Sequence, residues 1–136
     1  MGEVPAIARD VVYTPDAPGS GAHGAFAYSQ AIKAAGLVFV SGQGPTDAAT
    51  GRTVGTTIGE QTRQCLHNVQ AILEAAGSDM HKVVTATFIL KDPDDFAGMN
   101  EEWKRWFPTD PPARQGARHP LDVAGMLISI AVIAEA

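Results

Sequence analysis

Residues Met126 to Ala134 alternate so regularly that the rest of the chain must be arranged around them. Met126, Ile128, Ile130, Val132 and Ala134 form one apolar row, and Leu127, Ser129, Ala131, Ile133 and Glu135 form a smaller, mixed one. Strand side chains alternate between faces, so this run reads as a strand with one face in a core. Upstream lies Pro111-Pro112-Ala113-Arg114-Gln115-Gly116-Ala117-Arg118-His119. The prolines end any helix and push the preceding residues toward extended backbone, so a second strand starts near Arg114. A guanidinium is a planar fork of donors that matches a carboxylate. Beside a strand face of small side chains, Arg114 suggests a pocket for a small organic acid. Read alone, the same stretch also fits a surface arginine in an ion pair.

Taken in order, Asp10 to Tyr13 holds a short strand, and Thr14 to Ala27 is loop. The G-x-G-x-x-G match at Gly19-Ser20-Gly21-Ala22-His23-Gly24 follows no strand and opens no helix, so it is not a dinucleotide fingerprint. Tyr28–Ala34 and Leu37–Ser41 read as a hairpin around Ala35-Gly36. Ile58, Cys65, Leu66, Val69, Ile72, Leu73 and Ala76 recur at helical spacing from about Thr57 to Ala76, with Gly77 as the stop. Val83–Leu90 is apolar enough for a central strand. Asp92 or Asp94 caps a second helix whose inner stripe is Phe96, Met99, Trp103 and Trp106, with Asn100 at its border. Glu101 and Glu102 read as solvated acids on that helix. The order is β-β-β-α-β-α-β-β in one domain spanning 1–136, an α+β fold with both helices on one face of the sheet. Its second face needs a cover, and the small residues of the mixed C-terminal row hint at another subunit.

A net charge of −5 argues against capture of nucleic acid or anionic membrane. The single cysteine, Cys65, permits no intrachain disulfide and borders the apolar stripe, which reads as packing. No signal-peptide pattern opens the sequence and no run is apolar enough to span a bilayer, so a cytoplasmic location is expected. The histidines show no paired metal spacing, and no P-loop or nucleophile elbow is present, so no metal or cofactor is expected.

Four ordered pieces carry a resemblance. They are Tyr28-Ser29-Gln30-Ala31 with Val40-Ser41-Gly42-Gln43, then Asn68 to Gly77, then Asp95-Phe96-Ala97-Gly98-Met99-Asn100, then Pro112-Ala113-Arg114. Together they resemble the Rid superfamily, the YjgF-type reactive-intermediate deaminases, from about residue 25 to the end. The resemblance implies a chorismate-mutase-like fold and a homotrimer with pockets between subunits. It also implies hydrolysis of small enamines or imines such as 2-aminoacrylate to a 2-keto acid and ammonia. Residue by residue, it implies that Arg114 holds the substrate carboxylate, Tyr28 lines the pocket and backbone at Ser41-Gly42 meets the ligand. Asn100 would support the wall, and Gly116 stands where many members place a cysteine or another small residue.

The departures are informative. Deaminating members usually close with a strand resembling Ile-Glu-Ile-Glu-Ala, whose second glutamate positions the attacking water. Here Ser129 and Ala131 replace both acids, and Phe26-Ala27 replaces a Gly-Pro, so the catalytic group is unassigned. Relatives resembling the RutC group also lack that glutamate. Strand alternation puts Arg118 on the side of Arg114, a candidate second contact for a dicarboxylate, and His119 on the other. Two readings follow: a trimeric hydrolase of a small imine or enamine carboxylate, and a non-catalytic binder of keto or carboxylic acids on the same scaffold. Ribonuclease or translation inhibition, an older family label, sits poorly with the acidic charge.

Overall fold

The computed structural model describes residues 8–19 and 27–136. Most of the glycine-rich stretch, with His23 and Phe26, lies outside the described residues. The elements run β1 (Asp10–Val12), β2 (Ala31–Ala34), β3 (Leu37–Gln43), α1 (Ile58–Ala75), β4 (Val83–Leu90), α2 (Phe96–Trp106), β5 (Ala113–Arg118) and β6 (Ile128–Glu135), with short 3-10 turns at Met80–Lys82 and Pro93–Asp95. This is the expected α+β order. The hairpin's first arm is shorter than its sequence reading, since β2 begins at Ala31 and leaves Tyr28 outside the strand.

The strands form one mixed sheet in the order β1-β2-β3-β6-β4-β5. β6 runs antiparallel to both β3 and β4, while β4 and β5 are parallel and joined across α2. The C-terminal strand therefore lies at the centre. Its Ile128, Ile130, Val132 and Ala134 are buried against the helices, as the alternation requires. Leu66, Val69, Ile72 and Leu73 of α1, with Met99 and Trp103 of α2, complete this core. The opposite sheet face carries half-buried Ser129, Ala131 and Ile133, and exposed Phe39.

α1 starts at a full capping box. Thr57 accepts from the Glu60 amide, and the Glu60 carboxylate accepts from the Thr57 amide. Asp92, one of the two expected caps, accepts from the Asp94 amide and begins the 3-10 turn ahead of α2. Three polar residues of the helices are buried, and Glu102 thereby departs from its reading as a solvated acid. Gln61 and Asn68 are fully buried, and Glu102 is 5% exposed. Gln61 donates to the Gly55 and Gly125 carbonyls and accepts from the Leu127 amide. Asn68 donates to the Gly44 and Thr46 carbonyls. A buried amide is stable only when its polar atoms are paired, and here loop backbone supplies the partners. Glu102 accepts from Trp106 Nε1 at 2.9 Å and from Arg63 at 3.3 Å. Helical periodicity places a residue on a face but says nothing of the loop or helix that arrives to cover it.

Candidate active site

The structure divides the seven sequence-derived site residues into two groups. Arg114, Gly116 and Arg118 lie on β5, an edge strand, opposite Ala86, Phe88 and Leu90 of β4. They share the helix-side face, and Asn100 of α2 joins them. Tyr28, Ser41 and Gly42 belong to the other end of the sheet. Between β3 and β5 stand β6 and β4, so three strand spacings, roughly 14 Å, part the groups within one chain.

In the first group, Arg114 Nη1 donates to Asn100 Oδ1 at 2.8 Å. The guanidinium carbon lies 5.1 Å from the Phe88 ring centroid, 5.5 Å from that of Phe96 and 5.0 Å from that of Trp103. Phe96, Asn100 and Trp103 fall on one face of α2, spaced i, i+4 and i+7. Three ring faces attract the cation and restrict its rotamers, each contact worth roughly 0.5–2 kcal/mol. Partial burial among them lowers the Arg114 pKa below the usual arginine range. It stays cationic at neutral pH. Asn100 is its one hydrogen-bond partner among the described residues, which leaves the remaining N–H donors for an incoming anion.

Phe88 also explains Gly116. Its ring lies across that residue, where any Cβ would come within 3.0 Å of it. Next to this contact is a cavity of about 420 Å³ lined by Phe88, Leu90, Pro93, Phe96, Ala117 and Arg118, with Gly116 among them. Phe96, expected in the buried stripe of α2, is 43% exposed because it forms this wall.

Tyr28 and Gly42 of the second group line a separate cavity of about 320 Å³, together with Met126 and Ser129, and Ser41 is not among its walls. The β3–β6 register shifts between Val40 and Gln43, an irregularity that re-aims the backbone at Ser41-Gly42. Ser41 is largely committed within the chain. Its hydroxyl donates to the Ser29 carbonyl, its amide to Gln30 and its carbonyl accepts from Gln43. Gly42 is packed so close to Ser129 that a Cβ would lie 3.1 Å from Ser129 Oγ. Ala131 pairs with Thr87, which accepts from Gln115 Nε2 at 3.4 Å.

Sequence reasoning missed Phe88, Trp103 and Gln30. Trp103 had a signal, its helical spacing from Asn100. Phe88 had none, because its meeting with Gly116 depends on the β4–β5 register. Gln30 bonds Thr14, Ala17 and Pro18 and so fastens the loop beside Tyr28. Cys65 is buried, and desolvation pushes its thiol well above the usual range, which suits packing and not nucleophilic chemistry. No helix among the described residues is long and apolar enough to cross a membrane.

Comparisons with known proteins agree with this architecture. The family model for endoribonuclease L-PSP matches residues 20–136. A RutC family protein of Pyrococcus horikoshii is 44% identical over 93% of this chain and 97% of its own length. The human 2-iminobutanoate/2-iminopropanoate deaminase is 34% identical over 94% of this chain and 90% of its own. The crystal structure of a conserved Rid family protein, YyfA of Yersinia pestis, superposes with a TM-score of 0.86 at 35% identity, covering 95% of this chain and all of that one. An arginine held by an asparagine on this mixed sheet, with a family model spanning nearly the whole chain, leads to one assignment: the chain belongs to the endoribonuclease L-PSP family, the Rid group of RutC-like proteins and reactive-intermediate deaminases.

Proposed function

We propose that this protein hydrolyses a small 2-imino or enamine carboxylate to the 2-keto acid and ammonia, in a pocket completed by a second copy of the chain. The observation that carries the reading is Arg114, a cation fixed by Asn100 and three rings with donors left over. The name of the human relative supports the reaction class. The separation of the two residue groups supports a shared pocket, with Arg114, Asn100, Gly116 and Arg118 from one copy and Tyr28, Ser41 and Gly42 from the next. The half-covered sheet face is where the next copy packs, in a homotrimer.

In this reading Arg114 grips the carboxylate and so presents C2 of the imine at a fixed angle. Water adds to C2, its two protons pass in turn to nitrogen, the C–N bond breaks as the C2 carbonyl forms, and ammonia leaves. An enamine first takes a proton at its β-carbon. A positioned acid or base is typically worth about 10²–10⁴-fold. With alanine at 131 that help is absent from its usual place, and substrate lability carries more of the rate.

The test is ammonia release from freshly generated 2-imino acids, where acceleration over buffer is expected. No acceleration with any of several such acids overturns the proposal. Ser129 and Ala131 favour a second reading, a binder of keto acids without turnover. Calorimetric binding with no acceleration supports that alternative.

A further inference from the structure

The cavity at Tyr28 and Gly42 is short of groups that move protons. Among the described residues its walls hold no carboxylate, imidazole or amine. The groove beside Arg114 adds only a second guanidinium, Arg118, and an arginine stays charged and accepts no proton at neutral pH. Hydroxyls are the remaining carriers. The Ser41 hydroxyl is committed to the Ser29 carbonyl at 2.6 Å. Ser129 differs, because it lines the cavity from the central strand, is half-buried, and its hydroxyl makes no hydrogen bond among the described residues. A Cβ on Gly42 would come within 3.1 Å of Ser129 Oγ, so a ligand resting on the Gly42 backbone meets this hydroxyl too.

We infer that Ser129 is a catalytic residue, a two-way proton carrier between the attacking water and the imine nitrogen. This rests on the imine-hydrolase reading above. As the water oxygen bonds to C2, one water proton passes to Ser129 Oγ while the hydroxyl's own proton passes to nitrogen. The carbinolamine forms and the serine is restored. In the second step the new C2 hydroxyl gives its proton to Oγ, and Oγ again delivers one to nitrogen. The C–N electron pair leaves with ammonia as the C2 carbonyl forms. A hydroxyl both donates and accepts, which this relay requires. Ser129 does not serve the Arg114 of its own chain. β4 lies between β6 and β5, two strand spacings or roughly 10 Å in all, and the two residues point to opposite sheet faces. The substrate gripped by Arg114 of one copy therefore meets Ser129 of the next.

The experiment measures kcat with freshly generated 2-imino acids, and calorimetric binding of the matching 2-keto acids, for wild type and Ser129→Ala. The variant is expected to lose about 100-fold in kcat, with keto-acid affinity and oligomeric mass unchanged. Ser129→Ala and Arg114→Ala are then co-expressed under two tags and the mixed trimers kept. Each mixed ring holds one site with both residues intact, so about a third of wild-type activity is expected to return. Wild-type kcat in Ser129→Ala overturns the inference and leaves the hydrolase reading standing. A loss that comes with weakened keto-acid binding or an altered mass also overturns it, because the serine then serves packing. No recovery in the mixed trimers overturns it as well, since the two residues would then act from one chain. Absence of any acceleration by wild type removes the hydrolase reading and the inference with it.

Discussion

Phe88 lies ring-down across Gly116, its partner in the parallel β4–β5 register, and leaves no room for a Cβ there. Gly116→Cys is therefore expected to destabilise the protein by about 1–3 kcal/mol through overpacking. Phe88→Val in the same chain should restore much of that loss. Urea midpoints of the two single variants and the double variant give the coupling. Additive effects would show that the ring and the glycine do not compete for space.

Asn100 fixes the direction in which Arg114 points, through a single 2.8 Å bond. A hydrogen bond to a charged group is worth roughly 1.5–3 kcal/mol. Asn100→Ala is expected to weaken carboxylate binding by about 10-fold or more, with the fold intact. Arg114→Lys should be worse than the size of the change implies, since an ammonium lacks the planar fork and stacks less well on three rings. Calorimetry with 2-keto acids checks both. Binding of Asn100→Ala equal to wild type would mean the aromatic rings alone orient the cation.

The parts legible in the sequence were those written by local period. The alternation at Ile128–Ala134 gave the central strand, and Phe96, Asn100 and Trp103 share a helix face by spacing alone. What stayed hidden depends on contacts between distant segments. Asn68 and Gln61 look like surface amides until the loop carbonyls of Gly44, Thr46, Gly55 and Gly125 arrive over them. Glu102 looks solvated until Arg63, 39 residues earlier, and Trp106 close on it. The division of the candidate site into two groups follows from the strand order, which places β6 and β4 between Gly42 and Arg114. No window of sequence contains that order.

The Glu102 cluster separates charge from hydrogen bonding. The side chains of Arg63 and Arg105 are 55% and 71% exposed, so solvent screens most of their attraction. The Trp106 indole bond at 2.9 Å, to a carboxylate oxygen that is itself buried, matters more. Glu102→Gln keeps an acceptor for the indole and is expected to cost under about 1 kcal/mol. Glu102→Ala strands the Trp106 N–H and should cost about 1–3 kcal/mol. Equal losses in the two variants, measured by chemical denaturation, would assign the stability to the ion pairs instead.

Acid sensitivity should register at the start of α1. The Thr57 amide, the Thr56 amide and the Thr57 hydroxyl all hold the Glu60 carboxyl below its ordinary value of 4.5. A depressed carboxylate stabilises the fold above its unfolded pKa, and that stability is lost as pH falls through the folded value. Glu60→Gln removes this titration while keeping the box geometry. Wild type is therefore expected to be the more stable at pH 7, with the gap closing as the pH drops below 4.5. A gap independent of pH would mean that the carboxylate contributes nothing beyond its shape.

The β2–β3 hairpin carries the clearest route to a more stable protein. Its two turn residues, Ala35 and Gly36, have φ of 54° and 75°, the left-handed pair that a tight hairpin turn demands. Gly36 meets this freely, whereas an alanine Cβ there crowds the following carbonyl at a cost of roughly 1–2 kcal/mol. Asparagine adopts the conformation more readily and leaves the unfolded chain less free than glycine would. Ala35→Asn should raise stability by about 0.5–1 kcal/mol, a rise in Tm of a few degrees for a domain of this size. The side chain sits at a hairpin tip away from both residue groups, so carboxylate binding should stay as it was. A fall in Tm would mean that the turn relaxes in solution to a form in which alanine is unstrained.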